Sequence, residues 1–119
     1  MSDFKRAQRV SVEVHRALSD IVLRGLKDPR IIPFSITEVN VTDDLRLARV
    51  RIVPLGGVGD TDKLLAGLRA ASGYLSRQVA RQVRVKYSPK LEFFLDDSLS
   101  DAISVLKGLD EIREEKEDE

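Results

Sequence analysis

The chain has 119 residues, 42% hydrophobic and 34% charged, with 20 Lys and Arg set against 20 Asp and Glu; this is the composition of one globular domain, not of a disordered chain. It contains no cysteine, which excludes disulfides, thiolate metal sites and a cysteine nucleophile, and no apolar run approaches the roughly 20 residues of a membrane span. The zero net charge hides a gradient: Gly108 to Glu119 holds seven acids and two bases, while residues 1–107 hold 18 bases and 13 acids, so a mildly basic body ends in an acidic tail.

The first helix is expected from about Asp3 to Lys27. Val10, Val14, Leu18 and Ile21 recur at intervals of three and four and form one apolar stripe. Asp28-Pro29 is the expected stop, because the residue before a proline is pushed out of the helical region. Two strands follow, Ile36 to Val41 and Leu45 to Val53, joined by a turn at Thr42-Asp43-Asp44, whose short side chains bond their own backbone. Ala48, Val50 and Ile52 alternate with Leu47, Arg49 and Arg51, so the pair reads as an antiparallel hairpin with one wet face.

Pro54 and the run Gly56-Gly57-Val58-Gly59 break the pattern, and Asp60 or Thr61 caps a new helix. Leu64, Leu65, Leu68 and Ala71 give its apolar face, Ser72-Gly73 weakens it, and Leu75, Val79 and Val83 carry it on to about Val85. This predicts a kinked helix, or two helices meeting at Gly73. Pro89 announces a third strand from Leu91 to Leu95. Ser98 to Asp101 starts a last helix with Ile103, Leu106 and Ile112 as its stripe, and the acidic tail beyond frays. Helix, strand, strand, helix, kink, helix and strand make an α+β domain: a three-stranded sheet with helices on one face.

Catalytic signals are weak. His15, the single histidine, sits mid-helix and reads as a surface or interface side chain. Asp43-Asp44 and Asp96-Asp97 read as turn residues before metal ligands. No catalytic or metal residue and no cofactor are expected. Gly56 to Gly59 has the Gly-x-x-Gly spacing with which KH domains clamp RNA. It falls between a strand and a helix instead of between two helices, and reads as a connector.

The stronger signal is charge segregation. From Lys63 to Leu91 there are seven bases and no acids: Lys63, Arg69, Arg77, Arg81, Arg84, Lys86 and Lys90. Arg77, Arg81 and Arg84, four and three apart, are expected on one helix face, opposite Leu75 and Val79. Arginine offers phosphate a planar fork and stacks on bases, so an acid-free basic face favours RNA over a merely solvated surface. Arg6, Arg9 and Arg16 on the first helix extend the patch. The six aromatics form no RNP cluster, which argues against an RRM. Helix-strand-strand-helix-helix-strand is instead the order of a type II KH domain. On the residues alone, a generic single-strand RNA binder and a protein-interaction module recruiting through the acidic tail stay open beside a specific RNA partner.

Specific segments carry a resemblance. Arg6-Ala7-Gln8-Arg9-Val10, Asp28-Pro29-Arg30-Ile31, Asp44 to Val50, Leu55-Gly56, Ala71-Ser72-Gly73 and Pro89-Lys90-Leu91-Glu92-Phe93 occur in the order in which they stand in the bacterial ribosome-binding factor A family, which this chain resembles from about Phe4 to Leu109. The resemblance implies a KH-like ribosome-binding domain over residues 1–109 and a short acidic tail over 110–119. It implies a cytoplasmic, non-catalytic, monomeric factor with no membrane association. Its partners would be the free 30S subunit, through 16S rRNA and neighbouring small-subunit proteins, and its work the late maturation and 5′-end processing of 16S rRNA, with assembly in the cold. Ala71, Ser72 and Gly73 would form the helix kink that replaces Gly-x-x-Gly. Charge and placement then make Arg6, Arg9, Arg30, Arg69, Arg77, Arg81, Arg84 and Lys86 the candidate RNA contacts. The short acidic ending departs from relatives with a longer, basic tail.

Overall fold

A computed structural model describes residues 3–55 and 60–96. The elements are α1 (Asp3–Leu23), β1 (Phe34–Val41), β2 (Leu47–Pro54), α2 (Thr61–Gln82) and β3 (Lys90–Leu95). The sheet order is β1-β2-β3, with β1 antiparallel and β3 parallel to the central β2. Parallel pairing requires a crossover, and α2 supplies it.

Alternation on β2 sets the layers. Ala48, Val50 and Ile52 are fully buried, while Arg49 and Arg51 on the opposite face are exposed. Val50 lies between Val39 and Phe93, and Ala48 between Val41 and Leu91, so two cross-strand rows floor a single core. Both helices cover that floor. Val10, Val14, Ala17, Leu18 and Ile21 of α1 pack over β1, and Leu64, Leu68, Leu75 and Val79 of α2 pack over β3.

Several boundaries differ from the sequence expectation, each for a local reason. Helix α1 stops at Leu23, four residues before Lys27. Gly25 takes φ 91° and its amide returns to the Val22 carbonyl at 3.0 Å, the left-handed stop that glycine makes easy. Strand β1 begins at Phe34, two residues before Ile36. Strand β2 begins at Leu47, two residues after Leu45, because Leu45 itself takes φ 61° in the hairpin turn and its amide bonds the Thr42 carbonyl at 2.8 Å. Strand β3 gains Lys90.

Asp60 is the N-cap of α2, its side chain accepting from the Lys63 amide at 3.1 Å. The segment expected as a kinked helix, or as two helices meeting at Gly73, is one α-helix from Thr61 to Gln82. Leu68 and Leu75, both fully buried, anchor it on either side of Ser72-Gly73. The helix ends three residues short of Val85. Val83 turns to extended backbone (φ −104°, ψ 121°), which lets its β-branched side chain reach the core.

The outer edge of β1 is held by α1. The Thr42 amide bonds across the hairpin to the Leu47 carbonyl, so the preceding amide, Val41, points away from the sheet. Ser11 Oγ accepts from that amide at 2.9 Å and donates to the Ala7 carbonyl at 2.7 Å. One turn further on, His15 Nε2 bonds the Ile36 carbonyl at 3.2 Å; a carbonyl only accepts, so Nε2 carries the hydrogen. The interface reading of His15 is the one the structure gives.

The expected last helix from Ser98, with Ile103, Leu106 and Ile112, the acidic tail at 110–119, Asp97 and the Gly56 to Gly59 run lie outside the described residues.

Candidate RNA-binding surface

All seven bases between Lys63 and Leu91 are exposed. Lys63 lies in the first turn of α2, Arg69, Arg77 and Arg81 further along the same helix, Arg84 and Lys86 in the connection to β3, and Lys90 at the start of β3. Arg84 does not share a helix face with Arg77 and Arg81 as expected. It stands one residue past the helix cap, where the Val85 amide folds back to the Val83 carbonyl at 2.9 Å.

Several cations line surface depressions, while Lys63, Arg77 and Arg81 stand on the open face of α2. Arg69 and Ser72 of α2 line a groove with Lys90, Leu91, Glu92, Phe93 and Phe94, alongside the edge strand of the sheet. Arg16 of α1 and Arg84 line a depression with Glu13, Gln82 and Val83. Arg6 lines another with Lys86, Tyr87, Asp3, Asp43 and Asp44. The surface is therefore mixed in charge near α1 and more purely basic along α2. Arg9 is exposed on α1, three residues from Arg6, on the same side of the helix.

Ala71, Ser72 and Gly73 sit beside this groove. Ser72 Oγ donates to the Arg69 carbonyl at 2.8 Å, within a helix that runs unbroken from Thr61 to Gln82. Gly73 is exposed, and Arg77 Nη1 lies 3.5 Å from where a Cβ would stand on it. The missing side chain leaves the guanidinium room to lie close to the helix backbone.

Arg30 stands apart. Its fork is committed to Asp28, with Nη2 at 2.6 Å from Oδ2 and Nε at 3.0 Å from Oδ1. The Arg30 hydrogen bonds hold the Asp28 carboxyl below its ordinary range, and Asp28 in turn raises Arg30. The pair lies at an exposed turn that packs on α2 at Gly67. A Cβ on Gly67 would meet Ile31 Cγ1 at 2.8 Å and Arg30 Cβ at 3.3 Å. Arg30 thus shapes a turn and is not a free cation on the basic face.

Two residues that sequence reasoning does not single out are Arg46 and Tyr87. Arg46 Cζ lies 5.6 Å from the centre of the Tyr87 ring and Lys86 Nζ lies 5.4 Å from it, within cation–π range. The Lys86-Tyr87 neighbours are visible in the chain. Arg46 joins them only because the Lys90 amide bonds its carbonyl at 2.8 Å where β3 starts beside β2.

Among the described residues no group of three or more His, Asp or Glu side chains is placed to hold a metal ion. Asp44 is a turn residue: its carboxylate accepts from Thr42 Oγ1 at 2.6 Å and from the Arg46 amide at 3.1 Å, and these bonds, the Thr42 one first, hold it below the ordinary carboxylate range. Asp96 accepts from Thr37 Oγ1. No helix among the described residues is long and apolar enough to cross a membrane.

Comparison with known proteins agrees with this architecture. The ribosome-binding factor A of Acetivibrio thermocellus is 40% identical over 108 residues, spanning 90% of this chain and 88% of that protein. Its counterpart from Clostridioides difficile is 37% identical over 115 residues, 93% of this chain and 90% of that protein. The crystal structure of ribosome-binding factor A from Thermus thermophilus superposes with a TM-score of 0.65 at 25% identity, covering 75% of this chain and 94% of that one. A homology model of the Thermus protein, fitted into the cryo-EM map of its 30S complex, gives a TM-score of 0.63 at 25% identity. The family model of ribosome-binding factor A matches residues 6–109, so the chain belongs to the ribosome-binding factor A family.

Proposed function

We propose that this protein is a ribosome biogenesis factor of the cytoplasm. It binds the free 30S subunit through 16S rRNA and adjacent small-subunit proteins, as a monomer and without catalysing a reaction. The observation that carries this reading is the acid-free run of exposed cations along α2 and the connection to β3, in a family whose Thermus member has been fitted into a 30S map. Guanidinium and ammonium groups on a rigid helix grip phosphates without chemistry. Such a grip favours one rRNA arrangement over others, which is how a binding protein assists late maturation and the trimming of the 16S 5′ end by a separate nuclease.

In this reading residues 1–109 bind and the tail at 110–119 does not. Ala71-Ser72-Gly73 lies between Arg69 and Arg77 on α2, where its small side chains let the rRNA backbone come close to the helix. Arg81, Arg84 and Lys86 continue the contact, with Arg6 and Arg9 at its margin.

Co-sedimentation with purified small subunits, large subunits and joined ribosomes tests the reading. Retention on free small subunits alone is expected, and it should fall steeply as salt rises, because each neutralised phosphate releases counterions. Equal retention on all three particles would overturn it. A generic single-strand RNA binder would instead hold short RNA strands as tightly as whole small subunits.

A further inference from the structure

We infer that Tyr87 is a stacking platform for one unpaired RNA base, with Arg46, Lys86 and Lys90 placed to hold the phosphates beside that base. The inference rests on the RNA-binding reading and adds to it a specific contact and a class of ligand: single-stranded RNA in place of a duplex.

The first observation is exposure. Tyr87 is 55% exposed, while on the same connection Val83 and Pro89 are buried and Val85 is half-buried. Phe4 and Tyr74 are exposed too, so what sets Tyr87 apart is its surroundings. Arg46, Tyr87, Ser88 and Lys90 line one open depression, and none of these is aliphatic. A protein partner's apolar side chain would find one ring and two cations there, whereas a nucleotide carries both a π-face and a negative charge.

The second observation is charge around the ring. Lys86 and Arg46 lie over the ring, 5.4 and 5.6 Å from its centre, and Lys90 lines the same depression as Arg46; a base that stacks on the ring displaces a flexible cation from that face and leaves it beside the phosphate. An aromatic plane among cations is how single strands are held without sequence readout: the ring takes the base and the cations take the backbone. A paired base hides its faces in the stack, so the platform selects for unpaired RNA. Asp3, Asp43 and Asp44 line a neighbouring depression with Arg6, Lys86 and Tyr87, whereas the depression lined by Arg46, Tyr87, Ser88 and Lys90 holds no acid.

The third observation is rigidity. Pro89, two residues after Tyr87, is fully buried and its carbonyl accepts from Ser76 Oγ. The Arg46 backbone is fixed at both ends, its amide on Asp44 and its carbonyl on Lys90. A platform held in place before the ligand arrives loses little conformational freedom on binding.

The test uses the full chain and two probes, a short fluorescent single-stranded RNA of mixed sequence and purified small subunits. Tyr87→Leu is expected to weaken single-strand binding about tenfold, to weaken retention on small subunits, and to leave binding to a blunt RNA duplex unchanged. Tyr87→Phe, which keeps the ring, should bind as the parent does. The salt slope should be unchanged in Tyr87→Leu and should fall when Arg46, Lys86 and Lys90 are replaced together by Gln. Equal binding of parent and Tyr87→Leu to both probes overturns the platform and leaves the RNA reading intact. A parent chain that binds neither probe removes the RNA reading itself. Matching melting temperatures of parent and variants confirm that folding is not the cause.

Discussion

The Ser76 hydroxyl donates to the Pro89 carbonyl at 2.5 Å, inside the fold, and thereby ties the middle of α2 to the start of β3. Between these two residues the chain leaves the helix, turns at Val83 and presents Arg84, Lys86 and Tyr87. Ser76→Ala leaves a buried carbonyl unpaired and should destabilise the fold by about 1–2 kcal/mol, read as a lower urea midpoint at constant slope. RNA binding should weaken more than stability alone explains, since the tie sets where the connection sits.

Two glycines of α2 predict opposite outcomes. At Gly67 a new Cβ meets Ile31 Cγ1 at 2.8 Å, and overpacking of that kind costs about 1–3 kcal/mol, only partly offset by the better helix propensity of alanine. At Gly73 the nearest atom is the flexible end of Arg77 at 3.5 Å, so Gly73→Ala should stabilise by up to about 1 kcal/mol. Thermal unfolding of the two variants checks the contrast. If the small surface at Ala71-Ser72-Gly73 is part of the grip, Gly73→Ala will also bind small subunits less well while melting higher.

Replacing Arg77, Arg81 and Arg84 together by Ala should leave the fold intact, because all three are exposed. Retention on small subunits should drop, and the slope of log affinity against log salt should shrink by about one for each phosphate no longer neutralised. Arg30→Ala should scarcely change that slope, since its guanidinium is already committed to Asp28. Parallel salt titrations of the two variants separate a gripping arginine from a turn-forming one.

Asp44 supplies a pH prediction. Its hydrogen bonds favour the carboxylate and lower its pKa below the ordinary 3.8. The stability it contributes is therefore present above that value and lost as pH falls through the lowered folded-state value. Asp44→Asn should lower the melting temperature near neutral pH by a small amount, and its gap from the parent should narrow as pH falls below that ordinary value. Asp28, lowered by Arg30, titrates in the same direction and remains in both proteins.

Much of this architecture is legible in the chain because it follows from period. The stripe Val10, Val14, Leu18 and Ile21 and the alternation through Ala48, Val50 and Ile52 are set by geometry that acts between near neighbours. So is the Asp60 cap. The features that are not legible depend on pairs far apart in sequence. Gly67 reads as a weak point in a helix until the turn at Ile31 packs on it. Arg46 reads as the exit from a hairpin until β3 pairs beside it and brings Tyr87 under its guanidinium. The spacing of Arg77, Arg81 and Arg84 suggests one face, yet Val83 leaves the helix to reach the core and takes Arg84 with it. The early stop of α1 is the exception: Gly25 is a local signal, masked by the stronger helix breaker at Asp28-Pro29 close behind it.

The bonds from Ser11 and His15 to the outer edge of β1 have a consequence for how copies of this protein meet. A sheet with two open edges is a divalent unit that can add strands at either end and grow into a fibre. Here helix side chains occupy two outward groups of the β1 edge, the Val41 amide and the Ile36 carbonyl, which obstructs strand addition at that end. Beside β3, Arg69 and Lys90 add like-charge repulsion to the approach of a second copy's identical edge.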